Sequence, residues 1–342
     1  MFLETAANGE RHSGAIREWA FMGIRYSKPP MLMHDVISDL ETVTRLLEAQ
    51  APYTPLGGWY NPGADPTKRT RPMWFQNDWV HDDFAAEGSD VFLQHPGYID
   101  AAKEYYDAEI VEPVSVYVNL MVAIENGGPA HTDNPRFHGR DRTNTPMWLL
   151  RAMLWSGLFD DFEILQATAI WWSNDVDGGE LYFWPNGAAN PPEVHSGHMA
   201  NTALIGDNHG MFHQVGAIGP FGAEPSRITP SATLAPASDG SGDWVISDLG
   251  AEVFRAPLNT YRLSVLWKAD VYRTAAERAE KIGNVLSMQD VADRFNEDLA
   301  QRGSAVRFDL ARVDDPALKA EIGVIYPEDI PFGALCSVFD PS

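Results

Sequence analysis

The stretch "VSVYVNLMVAIENGGPAHTD", residues 114–133, decides the reading of this chain. Its first half is β-branched and aromatic, the composition of a strand, and it stops abruptly at Asn126-Gly127-Gly128. Beyond the glycines His131 and Asp133 stand two apart. In extended chain such residues point to one face, so an imidazole and a carboxylate are directed at a single point. A neutral imidazole pair and one carboxylate on one face of an octahedral ion leave three adjacent positions open, which suits non-haem Fe(II) and its oxygen chemistry. A third ligand has to come from a later strand. "DNHGMFHQVGAIG" offers His209, in an Asn-His-Gly turn, and His213, inside the strand-like part. His213 is preferred because regular elements hold ligands more accurately.

Working outward, further strands are expected in "EILQATAIWWSN", "ELYFWP", "TALIGD", "GMFHQVGAIG", "DWVISD" and "TYRLSVLWKADVY", separated by Gly, Pro, Asn and Asp clusters. Many short strands with regular turns indicate a mainly β fold with flanking helices and a jelly-roll, cupin-like core. "TPMWLLRAMLWSGLFDDF" reads as a helix inserted between the first strands, and "FGAEPSRITPSATLAPASDGSG" as an irregular excursion late in the barrel. Ahead of the core, "HDVISDLETVTRLLEAQ" has the spacing of an amphipathic helix and a second helix is expected after Pro96. Between them the Pro-, Gly- and aromatic-rich "APYTPLGGWYNPGADPTKRTRPMWF" reads as a long covering loop. The expected organisation is one domain: a helical and loop cover over 1–112, a barrel over 113–272 and a helical tail over 273–342.

Composition narrows the function classes. The 342 residues carry 25 Lys and Arg against 48 Asp and Glu, a formal net charge of −23. That charge repels phosphate and anionic headgroups, so neither nucleic acid nor a membrane is an expected partner, and a small-molecule substrate is. Cys336 is the single cysteine, which excludes an internal disulfide framework and a cysteine-rich zinc site. With no signal-peptide pattern and no long apolar run, a cytoplasmic protein is expected. The sequence says nothing of oligomeric state.

On the last strand, Arg262 and Ser264 are two apart and share a face between the apolar Leu263 and Val265. An inward arginine in a barrel is costly unless a carboxylate meets its guanidinium fork, to which a neighbouring hydroxyl adds a further bond. Arg227 in "EPSRITPS" is the rival anchor, with Pro-rich rather than strand-like flanks. Tyr117 and Asn119 are candidates to face a bound acid, or equally core residues. Arg136, Arg140 and Arg142 are candidates for an anionic substrate group, with ion pairs to local acids the commoner outcome.

The ordered set "HTD", "GGELYFWPNG", "MFHQV" and "YRLSVLW" resembles the Fe(II)/2-oxoglutarate-dependent dioxygenases, over about Val114 to Tyr272. The resemblance implies a double-stranded β-helix and an oxygenase with Fe(II), 2-oxoglutarate and O2. It makes His131, Asp133 and His213 both the catalytic residues and the metal ligands, with Arg262 and Ser264 on the distal carboxylate of 2-oxoglutarate. It further implies release of succinate and CO2 coupled to hydroxylation, desaturation or cyclisation at an unactivated C–H bond. The retained Asp133 argues against halogenation. A departure from the family pattern is the long insert between His213 and Arg262. The alternative is a cupin-like lyase, isomerase or 2-oxoglutarate-independent oxygenase on the same His/Asp/His site.

Overall fold

A computed structural model describes residues 27–57, 65–220, 222–328, 330 and 331. Within the expected barrel region, β5 (Ile110–Met121), β6 (Leu165–Trp172), β9 (Ala203–Gly206) and β14 (Arg262–Tyr272) lie side by side in a large antiparallel sheet. Its order is β9-β6-β14-β5, and β1 (Met31–Met33) extends it beyond β9. The opposing small sheet has the order β10-β7-β8, from Phe212–Val215, Leu181–Trp184 and Glu193–His195. His131 adds the fourth strand position there: its N–H donates to the His213 carbonyl at 3.0 Å and the His213 N–H donates back at 2.9 Å. The chain therefore crosses from sheet to sheet as it advances, with β14 inserted between β5 and β6. That strand order is a double-stranded β-helix.

Alternation along each strand builds two cores from one sheet. On β14, Leu263, Val265, Trp267, Ala269 and Val271 are buried against α1 (Leu40–Ala49), α2 (Asp90–Leu93) and α3 (Pro96–Tyr106), through Leu47, Phe92, Tyr98 and Ala102 among others. The alternate residues Ser264 and Leu266 face the barrel interior, where Leu266 meets Ile170, Trp172 and Leu204 of the large sheet and Leu181 and Phe183 of the small one. The helices are capped as their sequences require: Asp39 accepts from the Thr42 N–H at 2.9 Å, and Pro96 starts α3 where no N–H donor is needed. The inserted helix α4 (Met147–Ser156) packs with α6 (Met288–Gln301) and α7 (Pro316–Ile325) in a separate apolar cluster centred on Phe159 and Phe295; α5 (Ala275–Gly283) precedes them.

Two expectations need revision. The covering loop contains β2 (Thr54–Gly57) and β3 (Pro72–His81), which pair onward from β5 and widen the large sheet; β4 (Phe84–Ala85) pairs with β3. Met73, Phe75 and Trp79 are buried, and the first two show the two-residue period that the surrounding prolines and charges mask; a shift of register between Asp78 and Val80 breaks it before Trp79. "DWVISD" is not a barrel strand. It forms β12 (Asp243–Asp248) of a three-stranded sheet with β11 (Thr233–Pro236) and β13 (Ala251–Pro257), outside the barrel. The Tyr53 and Leu234 backbones bond reciprocally and moor this sheet beside β2. Trp59 and Tyr60 of the aromatic loop, and Cys336, lie outside the described residues.

Candidate functional site

Pro129 and Pro135 bracket the His131–Asp133 segment and remove two N–H donors, so it makes a single bridge instead of a ladder. Gly127 lets it approach: a Cβ there would overlap the carbonyl oxygen of Val215 on the outgoing end of β10. Asp133 is tied by its own N–H to the carbonyl of Asn208 at 2.8 Å, which docks the β9–β10 loop on the segment.

The ligand atoms of His131, Asp133 and His213 all lie within 4.8 Å of one another, the only such group of His, Cys, Asp and Glu among the described residues. His131 Nδ1 is 3.0 Å from the Pro129 carbonyl and His213 Nδ1 is 3.3 Å from the Met211 carbonyl. A carbonyl only accepts, so each Nδ1 carries the proton and each Nε2 keeps its lone pair. His213 Nε2 is 3.6 Å from Asp133 Oδ1. Burial and the neighbouring His213 lower the His131 pKa to about 4, and burial lowers that of His213 as well. Both rings are therefore neutral at physiological pH, the form that binds a metal. His209, the alternative third ligand, is buried in the β9–β10 loop and is not a member of the group.

Sequence reasoning missed Lys268. Its Nζ donates to Asp133 Oδ2 at 2.7 Å, with both side chains largely buried. Burial alone would push the Asp133 carboxyl up, but Lys268 and then His213 outweigh it and hold the group well below the usual carboxylate range. The pair leaves Oδ1 on the histidine side. A signal was present, since Lys268 continues the alternation of Arg262, Ser264 and Leu266 along the inner face of β14. Lys268 occupies the position of a counter-cation. Lys268→Met is therefore expected to destabilise the metal-free protein by about 2–4 kcal/mol, since breaking a buried pair strands the carboxylate. Divalent metal should then raise Tm more in the variant than in the wild type; an equal rise would show that Lys268 is not standing in for the ion.

At Arg262, Nε donates to the Gly179 carbonyl at 2.7 Å and Nη1 lies 3.9 Å from Met121 Sδ. Nη2 is buried with no hydrogen-bond partner among the described residues. The residue is 3% exposed, and burial lowers its pKa to about 10 against the opposing pull of Glu180. Ser264 is buried beside it, in register with Asn119 on β5 and Trp172 on β6. Arg227 is exposed. The "GGE" turn makes room for the arginine: Gly179 has φ +72°, and a Cβ there would stand 2.9 Å from Arg262 Cδ. Gly179→Ala is expected to cost about 1–3 kcal/mol in urea unfolding and to dislodge Arg262; unchanged stability would mean the turn tolerates the strain.

The other basic candidates are not gathered at one point. Arg136 Nη1 is 2.7 and 3.0 Å from the two oxygens of Asp270, which also accepts from Gln166 at 3.0 Å. Arg140 donates to the Leu286 carbonyl at 2.9 Å. Arg142 is exposed and its charge reaches the buried hydroxyl of Tyr117, which the Asp133 carboxylate also influences. No helix among the described residues is long and apolar enough to cross a membrane.

No family model and no curated protein matches the chain. Among solved structures it is similar to a 2OG-Fe(II) oxygenase family oxidoreductase from Burkholderia pseudomallei, at 11% identity over 73% of this chain and 87% of that one, with a TM-score of 0.37. It is similar to the non-heme alpha ketoglutarate dependent epimerase SnoN from nogalamycin biosynthesis, at 11% identity over 70% and 77%, TM-score 0.36. A Pseudomonas putida prolyl-4-hydroxylase gives 12% identity over 72% and 94%, TM-score 0.32. These likenesses are too distant to argue from, and the chemistry rests on the side chains.

Proposed function

We propose that this chain is an Fe(II)- and 2-oxoglutarate-dependent oxygenase acting on a C–H bond of a small molecule. The observation that carries the reading is a pairing inside one barrel. A compact His131/Asp133/His213 group shares the interior with a buried arginine, Arg262, whose Nη2 has no hydrogen-bond partner among the described residues. The donor set fits the metal: two neutral imidazoles with free Nε2 atoms and one ionised carboxylate suit Fe(II) and leave adjacent positions for other ligands. The orphaned guanidinium nitrogen fits the cosubstrate, because Glu180 acts on Arg262 only through its charge and leaves Nη2 a buried donor that an incoming carboxylate would satisfy.

When bound, Fe(II) would activate O2 as the oxidant while 2-oxoglutarate supplied two electrons, one oxygen atom ending in succinate with release of CO2 and the other in the oxidised substrate. The chain's own residues do the rest. His131, Asp133 and His213 would hold the metal, with Lys268 fixing the rotation of the Asp133 carboxylate. Arg262 and Ser264 would hold the distal carboxylate. Leu181, Phe183, Leu204 and Leu266 line the interior with apolar surface and exclude water from the reacting centre. Hydroxylation is the default outcome of such a site. A cupin-like enzyme working without 2-oxoglutarate has no use for Arg262, which is what disfavours that reading.

The test is anaerobic addition of Fe(II) and 2-oxoglutarate to the purified protein, followed by visible absorption. A charge-transfer band dependent on both additions is expected. Its absence, together with no protection of the fold by 2-oxoglutarate, rules the proposal out.

A further inference from the structure

Three buried indoles in this protein satisfy their N–H within the fold. Trp79 donates to the Tyr53 hydroxyl at 3.3 Å, Trp171 to Asn201 Oδ1 at 2.9 Å and Trp267 to the Leu93 carbonyl at 3.1 Å. Trp172 does not. It is 1% exposed and its Nε1 has no partner among the described residues. Trp155 shares that lack, but it sits on α4 against Phe212, in a different cluster from Trp172. An indole N–H buried without an acceptor costs about 1–3 kcal/mol, and a native interior retains one where a ligand will complete it.

The setting of Trp172 defines that ligand. Ser264 is flanked across the sheet by Trp172 on β6 and Asn119 on β5, so the three form one transverse row on the inner face. Arg262 follows two residues along β14, and its guanidinium lies over the Trp172 ring, 5.7 Å from the centroid. At this end of the barrel the buried atoms Arg262 Nη2, Trp172 Nε1 and Asn119 Oδ1 lack hydrogen-bond partners among the described residues. Turning the Asn119 amide over, a change that leaves its shape intact, presents N–H groups to the same row. A single water could accept from two of these donors but would bring no negative charge to the guanidinium. A carboxylate satisfies several at once, having two oxygens and about four acceptor sites.

Resting on the oxygenase reading above, we propose that Trp172 Nε1 donates, alongside Arg262 Nη2, to the distal carboxylate of the 2-oxo acid. Trp172 is thereby a determinant of selectivity for a 2-oxo diacid over a 2-oxo monoacid. Its carbon skeleton packs in the interior cluster and its nitrogen reads the ligand.

The experiment compares 2-oxoglutarate with 2-oxobutyrate, which lacks the distal carboxylate, on the zinc-loaded protein by calorimetry, with indole resonances followed in 15N-tryptophan-labelled protein. In the wild type one indole N–H should move downfield with 2-oxoglutarate and not with 2-oxobutyrate. Trp172→Phe should weaken 2-oxoglutarate binding by roughly 10- to 100-fold, the loss of a charge-assisted hydrogen bond, and leave 2-oxobutyrate binding unchanged. A purely structural role would weaken both acids alike. Equal discrimination in Trp172→Phe and wild type, or no indole resonance that separates the two acids, overturns the assignment. If the variant does not fold, the absence of any wild-type indole shift specific to 2-oxoglutarate still overturns the assignment. A wild type that binds the two acids equally well instead overturns the cosubstrate reading beneath it.

Discussion

Arg262→Ala is expected to weaken 2-oxoglutarate binding by roughly 100-fold or more while changing divalent-metal affinity by less than about threefold. Truncating one partner of a buried, hydrogen-bonded charge pair costs about 2–5 kcal/mol, and about 1.4 kcal/mol is a factor of ten. The metal should be nearly indifferent, because Arg262 is not a member of the ligand group and its charge is not among the influences on Asp133. Folding can be separated from binding. The guanidinium is a buried cation with an unpartnered nitrogen, so Arg262→Met should leave the metal-free protein at least as stable as the wild type, since burying such a charge is costly. Calorimetry with each ligand on the wild type, the two variants and Arg227→Ala checks all of this. A loss of 2-oxoglutarate binding in Arg227→Ala, with Arg262→Ala unaffected, would transfer the anchor to the exposed arginine.

Removing any one of the three clustered ligands should be more severe still. Asp133→Ala, His131→Ala and His213→Ala are each expected to lower metal affinity by roughly a thousandfold and to abolish succinate formation, since two remaining donors do not form a stable Fe(II) site. Asp133→Ala carries a second cost, because it leaves Lys268 buried without its carboxylate. Asp133→Asn keeps the shape and is the cleaver comparison for that reason: metal binding should fall while the fold survives. His209→Ala is the control and should retain most of the metal affinity. If His209→Ala alone eliminates binding, the third ligand has been misassigned and the loop from Asp207 to Gly210 must rearrange around the ion.

The parts of this fold that could be read in advance are those where alternation is unbroken. Val116, Val118 and Leu120 on β5, and Leu263, Val265 and Trp267 on β14, alternate with the residues of the inner face, and both strands were visible. His131, Asp133 and His213 stand out as candidates by their types and spacing and do gather within one group, and Arg262 and Ser264 share the inner face of β14. β3 was hidden because a register shift between Asp78 and Val80 breaks the period and its flanks are proline and basic residues. The role of "DWVISD" could not be read because a strand motif says nothing of which sheet it joins. Lys268 is harder to read for a different reason: it lies four residues beyond Ser264 on the same inner face, and nothing in the spacing says that its partner is Asp133. Trp171 and Trp172 are neighbours of the same type on one strand, yet they belong to different cores and only Trp171 satisfies its N–H among the described residues; hydrogen-bond satisfaction is not a property of sequence.

The placement of β14 bears on the order in which the enzyme can come into being. Without it, the large sheet is two separate pieces, β1-β9-β6 and β5-β3-β2, each presenting a raw edge to the gap between them. The segment that fills the gap leaves the ribosome after every other barrel strand, and its pairing with β5 is long-range, of the kind that forms slowly. Until then the nascent polypeptide carries two sticky edges that invite association with other copies, and a chaperone holding them apart would be of most use in that interval. The same segment brings Arg262, Ser264 and Lys268. An incomplete chain therefore holds His131, Asp133 and His213 but neither the buried arginine and serine at the other end of the barrel nor the lysine that pairs with Asp133.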